Sequence, residues 1–250
     1  MQCSTVCTYG ITDDGLPVTE DHPLRPLTPY GQHKAAADAT VLEAYERDGF
    51  PVTILKPSTT YGPMQGMLRQ IAWEFSWIDR IRQGKPIVVC GQGDALHQHL
   101  HVDDAARGFA AVLGQTQCLG QTYNLVSEPP ITWAAYHRTA MEVLGREVAL
   151  IGVTLAALQA HHVPRWEICQ EIFAHHTYYS GAKLRRDVPA FHPVVPLADG
   201  MRQVFAVMER EGRIPRAESA GWEDHLIARH STPAHTGTGD VAAHGRRSTR

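Results

Sequence analysis

No run of 18 apolar residues occurs in the 250-residue chain, so no transmembrane helix is expected. The opening MQCSTVCTYG has no basic residue and no long apolar stretch, and is not expected to act as a secretory signal peptide. Cysteine is sparse. Cys3, Cys7, Cys90, Cys118 and Cys169 are an odd, scattered five that form neither a CxxC pair nor a disulfide framework, which predicts a reduced, cytoplasmic chain. Positive charge is not in excess: 23 Lys and Arg stand against 26 Asp and Glu, and the net charge of −3 argues against nucleic acid as a partner. GxGxxG and GxxGxxG are both missing. Gly91-Gln92-Gly93 comes nearest, but it lacks the third glycine and sits in a mid-chain turn. No internal repeat is visible.

What remains is an ordinary globular balance, 43% hydrophobic and 20% charged, which excludes a wholly disordered chain. The length fits one large domain or two small ones, with enough chain to bury a sizeable core.

Strand and helix signals alternate. Residues 2–8 read as the end of a strand, Tyr9-Gly10 breaks it, and a polar, proline-punctuated loop runs to Thr28. Thr28 suits a helix cap and Pro29 the first helical position, so a helix is predicted over 30–48, stopped by Gly49. Residues 50–55 form a short β-branched run that fits a buried parallel strand ending at Lys56-Pro57. A helix is predicted over 67–82, where Ile71, Phe75, Ile78 and Ile81 recur at near-helical spacing. Strands are predicted over 86–89, 97–101, 122–126 and 148–153. Helices are predicted from Asp103 or Asp104 to 113 and over 132–144, 154–161, 164–174, 180–187 and 197–211. This alternation predicts an α/β fold with a parallel sheet. From Arg213 the pattern decays, and residues 231–250 read as a disordered tail.

Tyr30 and Lys34 form YxxxK near the start of the first helix. Four residues is one turn, so both side chains share a face. A free phenol, with a pKa near 10, is a poor base at neutral pH, and an ammonium one turn away favours its ionised form. In isolation the same spacing describes an exposed tyrosine beside a solvated lysine.

The company of that pair is more specific. Ser4-Thr5 lies upstream, then Tyr9-Gly10, then Pro17 to Pro23 and Thr28-Pro29-Tyr30-Gly31. Downstream come Lys56 to Pro63, His101-Val102-Asp103-Asp104-Ala105-Ala106, Thr122 to Leu125, Ile131-Thr132-Trp133, Lys183 to Arg186 and Pro196 to Gly200. In this order, over about residues 1–212, the chain resembles the extended short-chain dehydrogenase/reductases, the NAD-dependent epimerase/dehydratase family. The resemblance implies a Rossmann-like parallel sheet with a small mixed α/β substrate lobe. It implies Tyr30 as general acid/base, and Lys34 holding the nicotinamide ribose and lowering the tyrosine pKa. Thr5 would orient the substrate oxygen. Pro57 and Thr60 would line the nicotinamide pocket at a strand's carboxyl end, with Thr59 and His97 on the substrate side. The cofactor implied is NAD or NADP, and the partner a sugar-like or other small hydroxylated substrate. A homodimer through residues 35–45 is also implied.

The departures carry equal information. Members that dehydrate sugar nucleotides have an Asp-Glu pair where Val6 and Cys7 stand, so dehydration is not expected. The family's Arg-Pro-x-Asn is Lys56-Pro57-Ser58-Thr59 here. Its Arg-Asp before His-Val-Asp-Asp is His97-Gln98, which removes an arginine that commonly meets a substrate phosphate. With the glycine-rich first turn missing, the sheet is expected to be partial, lacking roughly 60–110 residues at about 30 per βαβ unit. Either the chain is a fragment or a misassigned start, or it is a genuinely short protein; the former is favoured. The chain alone is expected to bind NAD(P) weakly or not at all and to be inactive. Residues 1–66 and 103–114 are assigned to the Rossmann-like part, 67–102 and 115–212 to the substrate lobe, and 213–250 to a tail. The rival reading is a non-catalytic remnant serving as a binding or interaction module. RNA binding is disfavoured by the acidic balance and the intact Tyr30/Lys34 pair.

Other features read as structural. His97, His99 and His101 alternate along a predicted strand, but they coincide with the family segment, and no metal site is expected. His161-His162 and His175-His176 read as exposed polar positions. Trp73, Phe75 and Trp77 read as helix packing or a substrate-pocket wall, with packing the default. Asp103-Asp104 reads as a helix cap with a structural hydrogen bond.

Overall fold

A computed structural model describes residues 1–12 and 15–230. Along the chain run β1 (Gln2–Cys3), α1 (Pro29–Asp48), β2 (Ile54–Pro57), β3 (Thr59–Tyr61), α2 (Ser76–Gln83), β4 (Ile87–Cys90), β5 (Leu96–His97) and β6 (His99–His101). Then follow α3 (Val102–Ala111), β7 (Thr122–Leu125), β8 (Ile131–Thr132), α4 (Trp133–Leu144), β9 (Leu150–Val153), α5 (Leu155–Ala160), α6 (Ala182–Asp187), α7 (Leu197–Arg210) and α8 (Gly221–His230).

The expected α/β architecture is present. β1, β2 and β7 form a parallel sheet in that order, with Gln2 opposite Ile54 and Ile54 opposite Thr122. β3 pairs with β6 and β4 with β9, both parallel, while β5 and β8 pair antiparallel. Ile54 and Leu55 are fully buried, as an uninterrupted apolar strand should be. Three apolar clusters hold these layers. Trp77, Trp133, Tyr136, Met201 and Phe205 join α2, α4 and α7. Leu55, Leu100, Tyr123 and Leu125 pack with Leu184 of α6. Val88 and Val153 pack beneath Leu226 of α8.

α1 forms where the sequence places it. The Thr28 side chain accepts from the Gly31 amide at 3.0 Å, and Gly49 ends the helix at φ 68°. Residues 67–75 are a correction: no helix forms until Ser76. Both sides of this segment are buried, so it has no single apolar face. Arg69 reaches Glu74 and Glu223, and Gln70 accepts from the Cys90 amide while donating to the Phe173 carbonyl. The helix predicted over 164–174 contracts to a π-helical turn, Cys169–Phe173.

Residues 213–230 are a second correction, because they are not a tail. α8 packs on β4 and β9, and its buried Glu223 pairs with Arg69 at 2.5 Å and accepts from the Val88 amide at 2.7 Å. Its apolar side, Trp222, Leu226 and Ile227, is short and adjoins a buried carboxylate, which explains why periodicity missed this helix. The predicted tail over 231–250 lies outside the described residues. No described helix is long and apolar enough to cross a membrane.

Candidate active site

A close contact at the start of α1 sets the site. After β1 the chain makes a 3-10 turn, Val6–Thr8, capped by Thr5, whose hydroxyl accepts from the Cys7 amide at 3.2 Å. A Cβ on Gly31 would lie 2.9 Å from the Cys7 carbonyl oxygen, so glycine lets the first turn of α1 rest on this turn. Tyr30 is thereby brought to the same cleft wall as Thr5. Tyr30 is 54% exposed. One turn further on, the Lys34 ammonium donates to the Cys3 carbonyl at 2.8 Å and stands 5.8 Å from the centroid of the Tyr30 ring. The two side chains therefore share one side of the helix, as their spacing predicts.

The electrostatic expectation fares differently. Burial raises the Tyr30 pKa above its ordinary value, the Cys7 thiol adds to this, and the Thr5 hydroxyl works in the opposite direction. Lys34 is not among the groups that move it. Its ammonium is engaged with a backbone carbonyl in a water-accessible setting, where charge is well screened. The phenol of the chain by itself is an acid.

Another turn along α1 lies a feature the sequence reading missed. Asp38 is buried, and its Oδ2 accepts from the Ser4 hydroxyl at 2.6 Å and from the Lys56 ammonium at 2.8 Å. Lys56 also donates to the Thr8 hydroxyl at 2.7 Å. Burial lowers the Lys56 pKa, and Asp38 opposes that shift. The pair locks α1, the turn after β1 and the end of β2 to one another. Tyr30, Lys34 and Asp38 stand at successive helical turns, and a lysine inside an otherwise apolar strand was the available signal.

Tyr30 and Thr5 border a cleft of about 440 Å³, which Thr59, Thr60 and His97 also line. Pro57 does not line it: that residue ends β2, opposite Leu125. His97 is fully buried, shares 2.7 Å hydrogen bonds with the Thr59 and Thr177 hydroxyls, and stacks on Trp133. Burial pushes its pKa down to about 3, so the ring is neutral. His97 thus fixes two threonine hydroxyls at the cleft wall.

Of the three alternating histidines, His97 and His99 meet with ring centroids 4.9 Å apart, both against Trp133, whereas His101 packs edge-on against Tyr61. No described group of three His, Cys, Asp or Glu side chains is placed to hold a metal. The cap of α3 is His101, which accepts from the Asp103 amide at 3.2 Å. Asp104 instead accepts from the Val194 and Val195 amides and pairs with Arg107. Trp73 lies on the cleft wall rather than in a helix, whereas Trp77 is in the core. Glu171 and Tyr179, from distant parts of the chain, complete the wall without any sequence signal.

The sequence and the fold match a known group of proteins. The profile of the NAD dependent epimerase/dehydratase family matches residues 1–125. The dTDP-glucose 4,6-dehydratase of Streptomyces griseus is 28% identical over 239 residues, covering 94% of this chain and 63% of that protein. The structure of RMD from Pseudomonas aeruginosa complexed with NADPH superposes with a TM-score of 0.66 at 21% identity, covering 84% of this chain and 66% of the other. UDP-glucuronic acid 4-epimerase from Bacillus cereus, in complex with UDP-glucuronic acid and NAD, gives a TM-score of 0.64 at 21% identity, covering 84% and 60%. The chain thus spans about two thirds or less of these proteins. Half of its residues, including Thr5, Tyr30 and Lys34, fall within the matched profile, and the chain belongs to the NAD-dependent epimerase/dehydratase family.

Proposed function

We propose that this chain supplies the substrate cleft and the proton-transfer residues of an NAD(P)-dependent oxidoreductase acting on a sugar-like or other small hydroxylated substrate. The observation that carries the reading is Tyr30 lining the cleft together with Thr5, with the Lys34 ammonium one turn behind and 5.8 Å from its ring. Because its pKa is raised, Tyr30 holds a proton at neutral pH and suits the reductive direction. There it donates that proton to a substrate carbonyl oxygen while the carbonyl carbon is reduced, and an alcohol results. Thr5 orients the same oxygen. The chemistry that NAD(P) supplies when bound is hydride transfer. Lys34 and Thr60 fit the nicotinamide-ribose end of that cofactor. The pyrophosphate end has no glycine-rich turn in these 250 residues, so binding by the chain alone is weak. Val6 and Cys7 replace an acidic pair, which favours epimerase or reductase chemistry over dehydration. A homodimer through residues 35–45 belongs to the same reading, since α1 buries Gly31 and Asp38 alone. The missing glycine turn is also what favours a non-catalytic binding module as second reading.

The test is reduction of a keto-sugar by the chain at high NADH or NADPH concentration, with Tyr30→Phe alongside. The variant is expected to lose about 100- to 10,000-fold in rate. Undiminished turnover by Tyr30→Phe overturns the role of the phenol. Turnover by neither protein, with no NAD binding by calorimetry, favours the binding module.

A further inference from the structure

We infer that the cleft selects a substrate bearing an ammonium group and no phosphate, an amino sugar or aminocyclitol in chemical class. This deepens the reading above and rests on it. Among the described residues lining the cleft, Glu171 is the one that carries a charge at neutral pH. Among the described residues, no lysine or arginine lines it. The one histidine, His97, is enclosed by Thr59 and Thr177 and has no free nitrogen to offer an anion. A diphosphate placed here would lose its hydration and meet a carboxylate, and both effects oppose binding.

The Glu171 carboxylate is available for a ligand. It is half-buried on the Cys169–Phe173 turn, and no hydrogen bond or ion pair to it is found among the described residues. Its field reaches the reacting end of the cleft, since it contributes to raising the pKa of the Cys7 thiol beside Thr5. The nearby cations are engaged elsewhere, Lys34 with the Cys3 carbonyl and Lys56 with Asp38. Trp73 lines the same cleft and is 40% exposed. An aromatic face beside a carboxylate favours a cation carried on an apolar ring. A substrate seated with its carbonyl at Tyr30 and Thr5 therefore places an ammonium toward Glu171.

Binding of glucosamine, N-acetylglucosamine and UDP-glucose to the full 250-residue chain, followed by ligand-observed NMR titration at low salt, tests this. Glucosamine is expected to bind about fivefold more tightly than its neutral N-acetyl counterpart, a preference typical of one partly exposed ion pair. Glu171→Gln should erase the preference, and raising the salt in the parent chain should reduce it without any substitution. Tyr30→Phe should keep the preference while losing turnover, which separates failure of this inference from failure of the proposed chemistry. Equal binding of the two amino sugars, no measurable glucosamine binding, or tighter binding of UDP-glucose overturns the inference.

Discussion

α1 and α7 are both long helices in a single α/β protein, yet they are held by different forces. α7 has 14 residues and buries Met201, Val204, Phe205 and Met208 against α4 and its neighbours. α1 has 20 residues and buries Gly31 and Asp38. The first is seated by an apolar stripe, the second by a hydrogen-bonded ion pair and one close glycine contact. Apolar burial is non-directional and tolerates small shifts. An ion pair with bonded neighbours fixes a helix along and about its axis. The helix carrying Tyr30 is the one anchored in the directional way.

Breaking the polar anchor should have the largest effect. Asp38→Ala leaves the Lys56 ammonium buried without its partner, and is expected to cost about 3–5 kcal/mol in urea denaturation. The combined Asp38→Leu and Lys56→Met change removes both charges and should recover most of that stability. Proton transfer by Tyr30 should not recover with it, because Ser4 has lost the Asp38 carboxylate and Thr8 the Lys56 ammonium. Full recovery of both would mean that apolar packing seats α1 as well as it seats α7.

The matching cut in α7 is Met201→Ala, a fully buried side chain in the core with Trp77 and Trp133. The cost should be about 2–5 kcal/mol from lost burial and a cavity. Here stability should fall while the reactivity of Tyr30 in the remaining folded protein is kept.

The contrast also explains what the sequence disclosed. α1, α3, α4 and α7 were legible because caps, glycine stops or 3.6-residue apolar spacing mark them. The pair Tyr30/Lys34 was legible because its spacing equals a helical turn. Where polar burial holds the structure, the same signals fail. The apolar residues of 67–75 promised a helix, but Arg69 and Gln70 are buried too and tie the segment to α8 and β4. α8 looked like a tail because its anchor is Glu223. Glu171 and Trp73 reach the cleft through tertiary folding, which no local pattern encodes.

Acid should separate the two regions further. His97 and His137 are buried neutral around Trp133, each pushed down to about 3 by desolvation, with Arg69 adding to the shift at His137. Unfolded imidazoles titrate near 6.5. Below that pH the unfolded chain takes up protons that the native protein refuses. Stability present above about pH 6.5 is therefore lost progressively as pH falls toward 3. By pH 5 the loss should be about 2 kcal/mol for each ring. Urea midpoints at pH 7 and pH 5 measure it. His137→Leu should flatten the slope, since neither ring nitrogen has a hydrogen-bond partner among the described residues. An unchanged slope in that variant would place the acid sensitivity elsewhere.

The smallest cut falls at the start of α1. Thr28→Ala removes the hydroxyl that accepts from the Gly31 amide, at a cost of about 1 kcal/mol. That loss is minor for the whole fold but local to the turn carrying Tyr30. Fraying there loosens the contact between Gly31 and the Cys7 carbonyl, and with it the placement of Tyr30 on the cleft wall beside Thr5. Turnover should therefore drop by more than the stability change alone accounts for, and Thr28→Ser should restore both. At the other end of the same helix, Arg47→Ala removes exposed pairings with Glu43 and Asp48 and should leave turnover unchanged. If the two alanine variants are equally active, the position of the phenol is set by the Asp38 anchor and the glycine contact, and the cap serves the helix alone.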